Sequence, residues 1–117
     1  MIEYRNDTPI YLQISEDILK KVARQELKTG DKLDSIREMA IKYKVNANTI
    51  SKTMDYLMNM NLVVSKRGMG IYIVEDEELV EKIKFNYIKE LVNNFIKDMK
   101  EMNYSIADIK KILEEMR

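Results

Sequence analysis

Cysteine and histidine are both absent from this chain. Without cysteine there is no disulfide framework and no thiolate metal site. Without histidine the commonest general base and the commonest zinc ligand are missing, and with them every Ser-His and Cys-His catalytic pair. No pattern sets two carboxylates around a cleft, so no catalytic residue, no metal and no cofactor is expected. No segment reaches the roughly 18 consecutive apolar residues of a membrane span. The first residues, Met1-Ile-Glu-Tyr-Arg-Asn-Asp-Thr-Pro, lack an apolar run behind a basic start. No secretory signal is therefore expected, and the expected location is cytoplasmic.

What is present suits a small folded protein. Apolar residues make up 45% of the 117 positions and charged residues 34%. That fits one compact domain, or a small domain with an appendage, and excludes wholesale disorder. The net charge is zero but unevenly spread: residues 1–74 carry 12 Lys and Arg against 9 Asp and Glu, and residues 75–117 carry 8 against 11. Between Lys32 and Arg67 the balance is 7 basic to 3 acidic. These basic residues fall at element ends and tips, where a nucleic acid would approach.

Thr8-Pro9 predicts a helix start, with Thr8 as the cap and Pro9 at the first helical position, where its missing N–H costs nothing. Ile10, Ile14, Ile18 and Val22 recur at helical spacing with Tyr11 and Leu19 beside them, so this helix is core. It is expected to run to about Glu26, and Gly30 to turn the chain. Ser35 and Glu38 then form a capping box, in which hydroxyl and carboxylate each satisfy an orphan backbone N–H. The second helix buries Ile36, Met39, Ala40 and Tyr43. It leaves Arg37 in the first turn, where the helix dipole does not favour a cation. Arg37 is for that reason a candidate functional residue.

Lys44-Val45 makes the next turn and Asn46 caps a third helix, whose apolar positions are Ile50, Met54, Leu57 and Met58. Ala47, Asn48, Ser51 and Lys52 face outward on its first turns, with Thr49 nearby. They are small, polar or basic, as a helix entering a major groove requires, although plain solvated surface would look similar. Asn61 suits the left-handed residue that closes the helix. Residues 62–65 and 71–74 are rich in β-branched side chains and bracket Lys66-Arg67-Gly68-Met69-Gly70, which predicts a hairpin. Two basic residues and two glycines at its tip allow close approach to a phosphate or a minor groove. Helix, turn, helix and hairpin together read as a winged helix-turn-helix.

Glu75-Asp76-Glu77-Glu78 marks a boundary, and a helix from about Glu77 to Met102 follows. Asn103-Tyr104 breaks it, and Ser105-x-x-Asp108 caps a last helix. Its apolar surface, including Ile83, Tyr87, Leu91, Phe95 and Met99 and then Ile109 and Leu113, is wider than one neighbour needs. Two helices enclose little core of their own, and each large aliphatic side chain gains roughly 1.5–3 kcal/mol on burial. A homodimer that buries these residues is the expected resolution. The expected fold is mainly α with a small β-hairpin: a winged helix-turn-helix DNA-binding domain at 1–74 and a two-helix dimerisation tail at 75–117.

With those residues in view, the chain resembles the GntR family of bacterial transcription regulators, in its short YtrA-like branch. The resemblance rests on Pro9-Ile-Tyr-Leu-Gln-Ile, Gly30-Asp-Lys-Leu-x-Ser-Ile-Arg-Glu-Met-Ala, Val45-Asn-Ala-Asn-Thr-Ile-Ser-Lys and Arg67-Gly-Met-Gly-Ile-Tyr-Ile-Val. It implies that Ser35 meets a phosphate and Arg37 a base or phosphate. It places Asn46, Asn48, Thr49 and Lys52 at the start of the recognition helix, and Arg67 and Gly68 at the wing contact. Asp34 stands where the family usually has Pro, Ala47 where Pro or a basic residue is common, and Asn61 where Gly is usual. The last change is mild, because Asn tolerates the left-handed region.

The expected function is a sequence-specific transcription regulator, a repressor, that binds a palindromic operator in double-stranded DNA as a homodimer. Ser51 and Lys66 complete the expected DNA-binding set. The alternative is a winged-helix protein–protein interaction module without DNA binding, which would more often show aromatic or aliphatic anchors than the polar face of Asn48, Ser51 and Lys52. The tail is too short for the large ligand-binding domains of other GntR branches. An unidentified small-molecule effector would have to bind at the dimer interface or between domain and tail.

Overall fold

The structure, a computed structural model, describes residues 2–117 and falls into two compact units, Met1–Lys84 and Phe85–Arg117. The first unit holds helices α1 (Ile10–Ala23), α2 (Ile36–Tyr43) and α3 (Ala47–Asn59), strands β1 (Val63–Lys66) and β2 (Gly70–Ile73), and the start of α4 (Glu77–Glu101). The remainder of α4 and helix α5 (Ile106–Glu115) make up the second. The fold is mainly α with a small antiparallel hairpin, as the residue pattern predicts.

α3 is the centre of the first unit, packed by α1, α2 and β1. Ile14 and Ile18 of α1 meet Ile50, Met54 and Leu57 of α3 in the core, with Leu62, Val63 and Ile73 of the hairpin, all almost fully shielded from solvent. Two small polar residues share this interior. The Thr53 hydroxyl of α3 donates to the Thr49 carbonyl at 3.0 Å and the Tyr11 carbonyl at 3.3 Å, and the Ser15 hydroxyl donates to the Tyr11 carbonyl at 2.8 Å. Their small volume lets α1 and α3 approach closely, and bonding to carbonyls removes the cost of burying a hydroxyl.

The start and end of α1 differ from expectation. Pro9 is the residue preceding the helix and no side chain caps it, because the Thr8 hydroxyl donates instead to the Asp7 carboxylate at 3.1 Å. Gln13 does the fastening. Its amide donates to the carbonyls of Arg5 at 2.8 Å and Thr8 at 2.7 Å, and its oxygen accepts the Arg5 N–H at 2.8 Å. At the other end α1 stops at Ala23 rather than near Glu26, since Gln25 adopts a left-handed φ of 65°. The Glu26 N–H folds back to the Lys21 carbonyl at 2.9 Å.

The hairpin pairs Val63 with Ile73 and Lys66 with Gly70. Residues 30–33, read from sequence only as a turn and connection, add a short third edge to it. The N–H groups of Gly30 and Leu33 donate to the carbonyls of Ile73 and Ile71, and the Ile73 N–H donates to the Asp31 carbonyl. After β2, the Asp76 carboxylate accepts the Leu79 N–H at 3.1 Å and opens α4, whose Val80 and Ile83 are buried in the first unit.

In the second unit Asn103, at φ 63°, ends α4, and the Ser105–Asp108 capping box starts α5. The Ser105 N–H bonded to the Asp108 carboxyl holds that group below its ordinary pKa. Ile109 is the only buried side chain among the described residues of this unit.

Candidate nucleic-acid interface

The helix-turn-helix is fixed by two caps and one left-handed residue. The Ser35 Oγ accepts the Glu38 N–H at 3.1 Å, and the Ser35 N–H donates to the Glu38 carboxylate at 2.9 Å. The bond from the Ser35 backbone, followed by that from its side chain, draws the Glu38 pKa down and keeps the carboxylate ionised. The Ser35 hydroxyl hydrogen stays available for a phosphate oxygen. α2 ends at Lys44, whose φ of 56° turns the chain, and the Val45 N–H closes onto the Ala40 carbonyl at 3.0 Å. Asn46 Oδ1 then accepts both the Thr49 N–H at 2.9 Å and the Thr49 hydroxyl at 3.1 Å.

That geometry sorts the candidate residues of α3. Asn46 and Thr49 are bonded to one another, which leaves the Asn46 amide N–H groups and the acceptor lone pairs of the Thr49 hydroxyl for other partners. Asn48 and Lys52 are exposed, Ser51 is half-buried, and none of the three side chains makes a hydrogen bond or ion pair among the described residues. Arg37 is likewise exposed and is unpaired among the described residues. The neighbouring Asp34 carboxylate is already neutralised, because Lys42 donates to it at 2.6 Å, and that contact raises the Lys42 pKa. The repulsion that Asp34 would offer a phosphate near Ser35 is reduced accordingly.

The wing carries Arg67, Gly68 and Met69 in a three-residue loop, with the Met69 N–H donating to the Lys66 carbonyl at 2.9 Å. Gly68 has φ +74°, a conformation that strains any other L-residue, and open space surrounds it. Arg67 is exposed and unpaired among the described residues. Lys66 is held differently from its partner at the tip. Its ammonium donates to Glu75 at 3.3 Å and lies 4.5 Å from the Tyr72 ring centre. A phosphate has to compete with Glu75 for the Lys66 ammonium. Glu75→Gln is therefore expected to tighten duplex binding by about two- to fivefold, the range of an exposed ion pair. Titration of wild type and variant into one labelled duplex checks this, and equal affinity would mean that Glu75 does not compete.

The residues expected at a dimer interface divide by burial. Ile83 is buried in the first unit and Ile109 in the second, whereas Leu91, Phe95 and Leu113 are exposed by 48, 46 and 56%. Tyr87 and Met99 are half-buried. Ile88, Val92 and Phe85 add to the exposed apolar surface of α4. Among the described residues no acidic cluster is arranged to hold a metal ion, and no helix is long and apolar enough to cross a membrane.

Comparison with known proteins places this geometry in context. The model of bacterial regulatory proteins of the gntR family matches residues 10–73, from the start of α1 to the end of β2. An uncharacterized HTH-type transcriptional regulator, YhcF of Bacillus subtilis (strain 168), is 42% identical over 100 residues, covering 86% of this chain and 83% of its own. The HTH-type transcriptional repressor YtrA of the same organism is 36% identical over 115 residues, covering 97% of this chain and 85% of its own. Among solved structures, a GntR family transcriptional regulator from Listeria monocytogenes superposes with a TM-score of 0.88 at 30% identity, covering 96% of this chain and 98% of that one.

Proposed function

The chain belongs to the GntR family of bacterial regulatory proteins, in its YtrA-like branch, and is a transcription regulator with a DNA-binding helix-turn-helix rather than an enzyme; from that premise we propose that it is a repressor that binds a two-fold symmetric operator as a homodimer. Residues 1–74 read DNA and residues 75–117 join the protomers. The observation that carries this reading is where three exposed cations stand, each without an acidic partner among the described residues: Arg37 at the start of α2, Lys52 on α3 and Arg67 on the wing. Arg5, Lys21, Arg24, Lys42 and Lys66 are each paired with a carboxylate, while Lys20, Lys28, Lys32 and Lys44 are exposed cations outside the two helix starts and the wing tip.

α3 enters the major groove with Asn48, Ser51 and Lys52 toward base edges and phosphates, and the Asn46 amide and Thr49 at its rim. Ser35 and Arg37 meet the backbone at the start of α2, while Lys66, Arg67 and Gly68 approach the neighbouring minor groove. Repression follows from occupancy of the operator, and the repressor described in Bacillus subtilis supports that sign. Arg37→Ala tests the assignment on a residue whose loss leaves the fold alone. Binding is expected to weaken about 5- to 150-fold, about equally on every sequence, and the salt slope to become shallower. Unchanged affinity, measured by fluorescence anisotropy on the selected operator, would remove Arg37 from the interface.

A further inference from the structure

Phosphate binding by the wing leaves the apolar residue of its tip without a use. Met69 is 57% exposed, with Gly68 on one side and Gly70 on the other. Its backbone is tied down: besides the bond from its N–H to Lys66, its carbonyl accepts the Tyr72 hydroxyl at 3.3 Å. Gly70, at φ +117°, takes a backbone conformation that other L-residues rarely adopt, which sets the path of the chain just beyond Met69. The result is a narrow tip that presents one flexible, unbranched thioether side chain on a fixed backbone. The minor groove is about 6 Å wide, which suits a single side chain flanked by glycines. Apolar wedges of this kind act by partly unstacking a base step.

We propose that Met69 is a specificity-determining residue that enters the minor groove beside each half-site and favours an easily unstacked pyrimidine–purine step there. The inference rests on the operator-binding reading above. Arg67 holds the flanking phosphate, and Met69 leans its side chain against the sugars and base edges of the step. TA and CA steps open cheaply, whereas stiff A-tract and GC steps resist. The preference therefore arises at a position where the protein makes no hydrogen bond to a base.

The test uses the full chain with duplexes that carry its selected core and every dinucleotide step at the flank. The variants are Met69→Ala and Met69→Leu, both at an exposed position. Wild type is expected to bind TA or CA flanks about tenfold more tightly than GC flanks, the cost of one unfavourable pair. Met69→Ala should abolish that ratio while the core preference persists, and Met69→Leu should keep most of it. An unchanged flank profile in Met69→Ala would overturn the proposal, and so would a uniform loss on every flank. If wild type selects no core at all, the operator reading falls and takes this one with it. A selected core with a flank profile indifferent to Met69 overturns the wedge alone.

Discussion

Raising the salt concentration from 50 to 200 mM is expected to weaken operator binding about 10⁴-fold. The basis is counterion release: each phosphate neutralised adds about −0.9 to the slope of log affinity against log salt. Arg37, Lys52, Lys66 and Arg67 supply four cations per protomer, so a dimer neutralises about eight phosphates and the slope is about −7. Asp34 contributes no opposing charge of consequence, because Lys42 already pairs with it. Arg67→Ala should lower the slope by about two, one contact per protomer, and weaken all sequences alike. Anisotropy titrations across the salt series measure both numbers. A slope shallower than about −3 would show that these cations do not sit on phosphates.

The second large effect is expected from the tail. Leu91→Glu together with Phe95→Glu should convert a dimer into a monomer and lower operator affinity by about 10²–10⁴-fold, the advantage of tethering two half-site readers. Both side chains are about half exposed on α4, so a protomer alone tolerates the charges, while a packed interface would have to bury them unpaired. The first unit should stay folded, since neither residue belongs to it. Sedimentation equilibrium reads the mass and circular dichroism the helix content. A double variant that remains dimeric would place the interface elsewhere.

The sequence was informative wherever structure is set by nearby residues. Both capping boxes, the Asn46 cap and the left-handed Asn61 are recognisable from spacing alone, and each is present. So is the hairpin, because β-branched runs around a glycine-containing loop leave few alternatives. What was not legible depends on contacts between distant segments. Gln13 fastens Arg5 and Thr8, and Ser15 and Thr53 bond the Tyr11 carbonyl, yet all three look like ordinary polar helix residues. The edge formed by residues 30–33 exists only because β2 lies beside it. At the interface the same limit applies to Lys66. Its place in the tip motif suggests a free cation, but Glu75, nine residues on, folds back to pair with it.

Tyr43 illustrates how a buried face can carry a polar network without a catalytic purpose. Its hydroxyl donates to Asp17 at 2.7 Å and accepts from Lys21, and its carbonyl accepts the Tyr4 hydroxyl at 2.5 Å. Burial, reinforced by the Asp17 bond, pushes its pKa upward, so it stays a neutral donor tying α2 to α1. The helix-turn-helix is thereby held against α1 independently of the residues that face DNA.

Selection of bound duplexes from a random pool, with the mass of the free and bound protein recorded alongside, tests the reading most directly. The expected result is a palindromic consensus with half-sites about one helical turn apart, occupied by two protomers. A folded, dimeric protein that enriches no sequence, or one that binds an asymmetric site as a single protomer, would contradict it.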